Sequence, residues 1–95
     1  MFKDLNPILH AQLRLSVMSH LVSNQEADFN TLKEATGATS GNLSVQIKKL
    51  EKAEYVKITK GFKNNYQHTL VAITAKGLDA FEEYVNALKQ YINKE

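Results

Sequence analysis

The chain of 95 residues contains no cysteine, so a disulfide framework, a thiolate metal site and a cysteine nucleophile are all excluded, and a reducing compartment is permitted. No apolar run approaches the roughly 20 residues that a bilayer-spanning helix needs, and the first residues lack a basic-then-apolar signal, so a cytoplasmic location without membrane association is expected. Glycine is scarce, at four, and none of it forms a phosphate-cradling loop. No nucleophile motif is present, and Glu82 and Glu83, adjacent on an expected helix, point to different faces. These absences leave an enzyme as the least supported class. The three histidines, His10, His20 and His68, lack the i, i+4 spacing of a helical metal pair, so neither metal nor cofactor is expected.

The chain does have enough apolar residues, 43%, for one folded core, and its length suits a single domain spanning 1–95. Its net charge of +2 is unevenly spread. Between Gly41 and Lys76 seven lysines face only Glu51 and Glu54, a local +5, while the rest of the chain, with five basic and eight acidic groups, carries −3. Such concentration is what a basic face directed at a polyanion requires.

That basic segment begins in the most informative stretch. Leu32 to Thr36 reads as the end of a short helix, Gly37 suits a left-handed helix-terminating position, and Thr39 or Ser40 offers a hydroxyl to cap the helix that follows. In that second helix Leu43, Ile47 and Leu50 recur at spacings of four and three, forming one inward stripe. Thr39, Ser40, Gly41, Asn42, Ser44, Val45 and Gln46, followed by Lys48, Lys49 and Lys52, make up the cap and the outward face. Small and amide-bearing residues come first and lysines later. This order suits a helix whose first turns enter a major groove, with Asn42 and Gln46 able to pair with adenine edges, Val45 to meet a thymine methyl, and the lysines to lie near phosphates. The bland alternative is the solvated face of an ordinary amphipathic helix.

Upstream, Asn6 and Pro7 predict a helix start, and apolar residues continue to about Val22 in two stripes: Leu9, Leu13, Val17 and Leu21, and Ile8, Ala11, Leu15, Met18 and Val22. Either both stripes are internal, or one faces a partner subunit. Ala27 to Phe29 suggests a brief strand before Asn30 caps a helix over Thr31–Thr36. After Ala53 the period changes to two over Tyr55–Lys60, turn-forming residues fill 61–65, and Tyr66–Ile73 is strand-like again, which predicts a hairpin. Lys60, Lys63, Asn64 and Asn65 fall near its tip, placed to reach phosphates or a minor groove, or else simply to keep a loop soluble. Thr74 caps a final helix whose Leu78, Phe81, Val85, Leu88 and Ile92 follow heptad spacing. This seam exceeds what a short hairpin would cover, so the helix is expected to pack against the first helix and a second chain, with Ile8, Leu15, Met18 and Val22 contributing to the dimer interface from the first helix. The alternative is a terminal helix closing its own core.

The expected architecture is therefore mainly α with a small β-hairpin (α+β): helix-turn-helix about 31–53, wing about 55–73, C-terminal helix about 75–93. Several separated segments, Leu5-Asn6-Pro7-Ile8-Leu9-His10, Arg14-Leu15, Phe29-Asn30-Thr31-Leu32-Lys33-Glu34, Ser40-Gly41-Asn42-Leu43-Ser44, Leu50-Glu51-Lys52-Ala53 and Ile73-Thr74-Ala75-Lys76-Gly77, resemble in the same order the small winged-helix transcriptional regulators related to the MarR and ArsR groups. The resemblance implies a homodimeric regulator that binds double-stranded DNA, with the third helix in the major groove, the wing on flanking backbone or minor groove, and the terminal helices at the dimer interface. It differs from that pattern in having Glu54 where glycine is frequent, Gln46 where histidine is common, and a lysine and asparagine wing in place of arginine. A winged-helix module that docks protein, and a metal- or small-molecule-responsive sensor on the same fold, are the other functions considered.

Overall fold

The computed structural model describes residues 2–92, the side chain of Lys63 excepted; position 93, the expected end of the last helix, lies outside the described residues. Four helices and three strands follow one another as α1 (Gln12–Asn24), β1 (Glu26–Asp28), α2 (Phe29–Thr36), α3 (Ser40–Lys52), β2 (Val56–Lys63), β3 (Tyr66–Ile73) and α4 (Ala75–Ile92). This is the α+β winged-helix arrangement that the sequence predicts.

The first helix begins later than expected. Asn6 does cap a turn, its Oδ1 accepting from the Ile8 amide at 2.8 Å, but Ala11 is extended (φ −150°, ψ 127°) and the continuous helix starts only at Gln12. The cause is tertiary. Arg14 Nε donates to the Ile8 carbonyl at 2.6 Å and Nη2 to the Pro7 carbonyl at 3.4 Å, so a side chain takes the acceptors that an unbroken helix would offer to residues 12 and 11.

The short strand runs one residue earlier than expected and joins the hairpin, giving an antiparallel sheet in the order β1-β3-β2 with Ala27 opposite Val71. The cap of α2 is Asp28 rather than Asn30: its carboxylate accepts from the Thr31 amide at 2.7 Å. At the other end Gly37 takes the left-handed conformation (φ 71°), and Thr39 caps α3 by accepting from the Asn42 amide at 3.2 Å. The turn between the two helices thus has the chemistry that its residues suggest.

Leu43, Ile47 and Leu50 all point inward, packing with Leu9, Val17, Leu21, Leu32, Val56 and Val71 in a single core. α3 ends in a Schellman motif, with Glu54 left-handed at φ 67°, the Glu54 amide donating to the Glu51 carbonyl and the Tyr55 amide to the Leu50 carbonyl. Asn64 and Asn65, at φ 53° and 67°, form the two-residue hairpin turn between the paired Lys63 and Tyr66, the conformation that twisted antiparallel strands favour. Thr74 Oγ1 accepts from the Gly77 amide at 2.9 Å and so caps α4.

Met18 corrects one expectation outright. It is 0% exposed and belongs to the core of this chain, so it offers no surface to a partner.

Candidate nucleic-acid interface

Because the apolar stripe of α3 is buried, the residues between its members are turned outward together. Thr39, Ser40, Gly41, Asn42, Val45, Lys48, Lys49 and Lys52 are exposed, while Ser44 and Gln46 at the flanks are half-buried. The three lysines therefore lie along the outer side of one helix rather than on opposite sides of the molecule. None of the three has a carboxylate within ion-pair distance among the described residues, where the single ion pair joins Lys76 to Glu54 at 3.1 Å.

The wing is held beside this helix. Ser44, Ile47 and Lys48 from α3 line one cleft together with Ile58, Lys60, Gln67 and Thr69 from the hairpin, and Asp28 and Asn30 close its end at the start of α2. Lys48 and Lys60 thus come from different elements to the same opening. Asn64 and Asn65 occupy the far turn and are exposed; the side chain of Lys63 lies outside what the structure describes.

A winged helix DNA-binding domain family matches residues 13–92. The chain belongs to that family. It is 32% identical over 83 residues, 87% of this chain and 90% of the relative, to an uncharacterized protein of Methanocaldococcus jannaschii. Its fold matches a transcriptional regulator homologue from Pyrococcus horikoshii at a TM-score of 0.85 and 30% identity, covering 90% of this chain and 85% of that one. BpsR of Bordetella bronchiseptica, whose DNA binding is regulated by 6-hydroxynicotinic acid, shares the fold at a TM-score of 0.75 and 16% identity, over 93% of this chain and 66% of that chain. The resemblance to winged-helix transcriptional regulators read in the sequence therefore holds, and the chain is a DNA-binding domain of that kind.

In this winged helix the heptad seam of α4 lies only partly on its core-facing side, where Phe81 and Leu88 pack against the core. Gly77, Tyr84 and Ala87 are the buried residues of α4. The N-terminal lead runs along the same helix: Phe2 stacks on Tyr91 at 4.7 Å between ring centroids, and Tyr91 Oη donates to the Lys3 carbonyl at 2.8 Å. Leu78 (38% exposed) and Ile92 (71%) are on the surface, whereas Phe81, Val85 and Leu88 are half-buried. Val22 of α1 shares an apolar groove with Leu78, Phe81 and Val85. Ile8 and Leu15 are half-buried and pack against the core.

Two features of the interface escaped the sequence reading. Arg14 reaches from α1 to Gln46, a contact between residues 32 positions apart that no local pattern reveals. Phe62 and Tyr66, 81% and 78% exposed, project from the end of the wing; period two carried past Ile58, which pairs with Val71, was the available signal for Phe62. The histidines have separate surroundings: His10 Nδ1 hydrogen-bonds Tyr84 Oη at 2.9 Å, and His68 lies in the cleft with Asp28. No helix among the described residues is long and apolar enough to cross a membrane.

Proposed function

We propose that this winged helix is a homodimeric transcriptional regulator that binds double-stranded DNA sequence-specifically, with α3 in the major groove and the wing on the flanking backbone or minor groove. The carrying observation is the split of α3 into a buried apolar stripe and an exposed face on which polar residues precede Lys48, Lys49 and Lys52. Base edges need short polar and small apolar groups close by, and phosphates need cations farther along. Lys60, brought to the same cleft as Lys48, extends the positive field onto the wing. Two copies joined through the α4 seam and Val22 would present two reading helices, the arrangement that matches a two-fold site.

The test is selection of bound duplexes from a random pool, with affinity for the recovered and scrambled sequences measured against salt. Binding should weaken steeply as salt rises. Lys49→Ala should lower affinity for both sequences and reduce the log–log salt slope by about one. Asn42→Ala should also cost discrimination at one base pair. Absence of any duplex binding at low salt rejects the proposal.

Exposure of Phe62 and Tyr66 favours one second reading, a wing that docks protein. Phe62→Ser separates the two, because a DNA-contacting wing loses duplex affinity with this change and a protein-docking wing does not.

A further inference from the structure

The amides on α3 are not free rotors. Besides its bonds to the Pro7 and Ile8 carbonyls, Arg14 donates from Nη1 to Gln46 Oε1, and Gln46 Nε2 donates to Asn42 Oδ1 at 3.1 Å. The direction of this relay is forced by chemistry. A guanidinium has only donors, so Gln46 must turn its oxygen toward Arg14. Its nitrogen then faces Asn42, which must answer with its own oxygen. What remains on the exposed first turn of α3 is Asn42 Nδ2 with two protons, which has no hydrogen-bond partner among the described residues.

Resting on the proposal that α3 enters the major groove, we infer that Arg14 and Gln46 are positioning residues that fix the base preference of Asn42 by holding its amide with the donor outward. A rotatable asparagine pairs with adenine by donating to N7 and accepting from N6. Held donor-first, the same side chain meets the adenine amino group donor to donor, whereas guanine offers acceptors at both N7 and O6. Asn42 therefore selects guanine, and Gln46, whose oxygen is committed to Arg14, orients a neighbour rather than reading adenine itself. This replaces the expectation that both amides pair with adenine.

Gln46→Glu tests the relay because it keeps the size of the side chain and the bond to Arg14 but removes the donor. The second carboxylate oxygen then accepts from Asn42 Nδ2, and the asparagine amide turns its oxygen outward. Selection from a random duplex pool, run in parallel on the wild type, Gln46→Glu, Arg14→Met and the Asn42→Ala, Gln46→Glu double variant, reads the outcome. The wild type should prefer guanine over adenine at one position of each half-site by about tenfold, the size of a good polar base contact. Gln46→Glu should reverse that preference toward a base presenting an amino group, adenine or cytosine. Arg14→Met should flatten it at that position alone, and the double variant should show none. A residue that merely supports the fold would lower the melting temperature without changing which base is chosen. If Gln46→Glu selects guanine with the wild-type ratio, the relay does not set the amide and the inference is overturned while DNA binding stands. If the wild type selects no sequence at low salt, the DNA-binding proposal fails and takes this inference with it.

Discussion

Gly77 sits directly against the carbonyl of Tyr55: a Cβ added to the glycine would stand 2.2 Å from that oxygen. The same oxygen accepts from the Thr74 amide at 3.0 Å, and the Tyr55 hydroxyl accepts from Asn6 Nδ2 at 2.8 Å, so Tyr55 joins α4, the sheet and the N-terminal turn. The obstacle is backbone and cannot swing aside. In an open helix Gly→Ala raises stability by roughly 1 kcal/mol. Here Gly77→Ala should instead destabilise by about 1–3 kcal/mol, the range for overpacking a filled site. Urea unfolding of the two proteins measures the sign; a gain in midpoint would refute close packing at this crossing.

Glu54 poses the converse problem. It holds a left-handed conformation at φ 67° that glycine adopts without cost, and its exposed ion pair with Lys76 is of the kind that contributes little. Glu54→Gly should raise stability by roughly 0.5–1 kcal/mol, because the steric penalty on a side chain in this region exceeds the value of the surface pair. Thermal unfolding of Glu54→Gly beside Lys76→Ala separates the two contributions.

The cap of α2 makes part of the stability depend on pH. The Thr31 amide, donating to the Asp28 carboxylate, holds that carboxyl below its ordinary value, and His68 across the cleft adds to the effect. A carboxyl with a depressed folded pKa contributes stability that is complete above its unfolded pKa and is lost as pH falls through the folded one. Unfolding midpoints should therefore drop on acidification below the ordinary carboxylate range, and Asp28→Asn, which keeps an amide oxygen for the cap, should drop less over the same window. Asp28→Ala should cost about 1 kcal/mol at neutral pH, as for other lost N-caps. Equal acid sensitivity in Asp28→Asn and the wild type would remove Asp28 as a source.

Which of these features a sequence reveals follows from how far apart their causes lie. Gly37, a hydroxyl cap at Thr39 or Ser40, and Thr74 act within a few residues of themselves and are legible as the end or start of an element, whereas the turn expected over 61–65 is confined to Asn64 and Asn65, because Gly61, Phe62 and Lys63 still pair with β3. The buried stripe of α3 and the exposed lysines opposite it follow from a 3.6-residue period alone. The break at Ala11 was hidden because Arg14 claims carbonyls that local pattern assigns to the helix. Local pattern puts the cap of α2 at Asn30, whereas pairing of Asp28 with Leu70 ends the strand at Asp28 and leaves its carboxylate at the start of the helix. On α4 the core takes Gly77, Tyr84 and Ala87 and, at its edge, Phe81 and Leu88 of the heptad, so the large apolar residues alone do not mark the buried face. Leu78 and Ile92 are the members of that heptad left at the surface.

That seam supplies the last prediction. Phe81 and Val85 are half-buried in the single chain and border, with Leu78 and Val22, a groove open to solvent. If two copies close over it, a carboxylate at Val85 would be desolvated at the interface without a partner, a burial too costly to be tolerated, while in a lone chain the same side chain remains hydrated. Val85→Glu should therefore convert a dimer to monomers in sedimentation equilibrium with little loss of helix content by circular dichroism. Affinity for a two-fold duplex should fall far more than affinity for a single half-site, because joining two modules multiplies binding through effective concentration by as much as about a hundredfold or more. Glu82, exposed at the rim of the same groove, provides the control. Glu82→Gln leaves the apolar seam intact and should leave the mass unchanged, so a monomeric wild type, or a Val85→Glu variant that stays dimeric, would exclude the α4 seam as the contact between subunits.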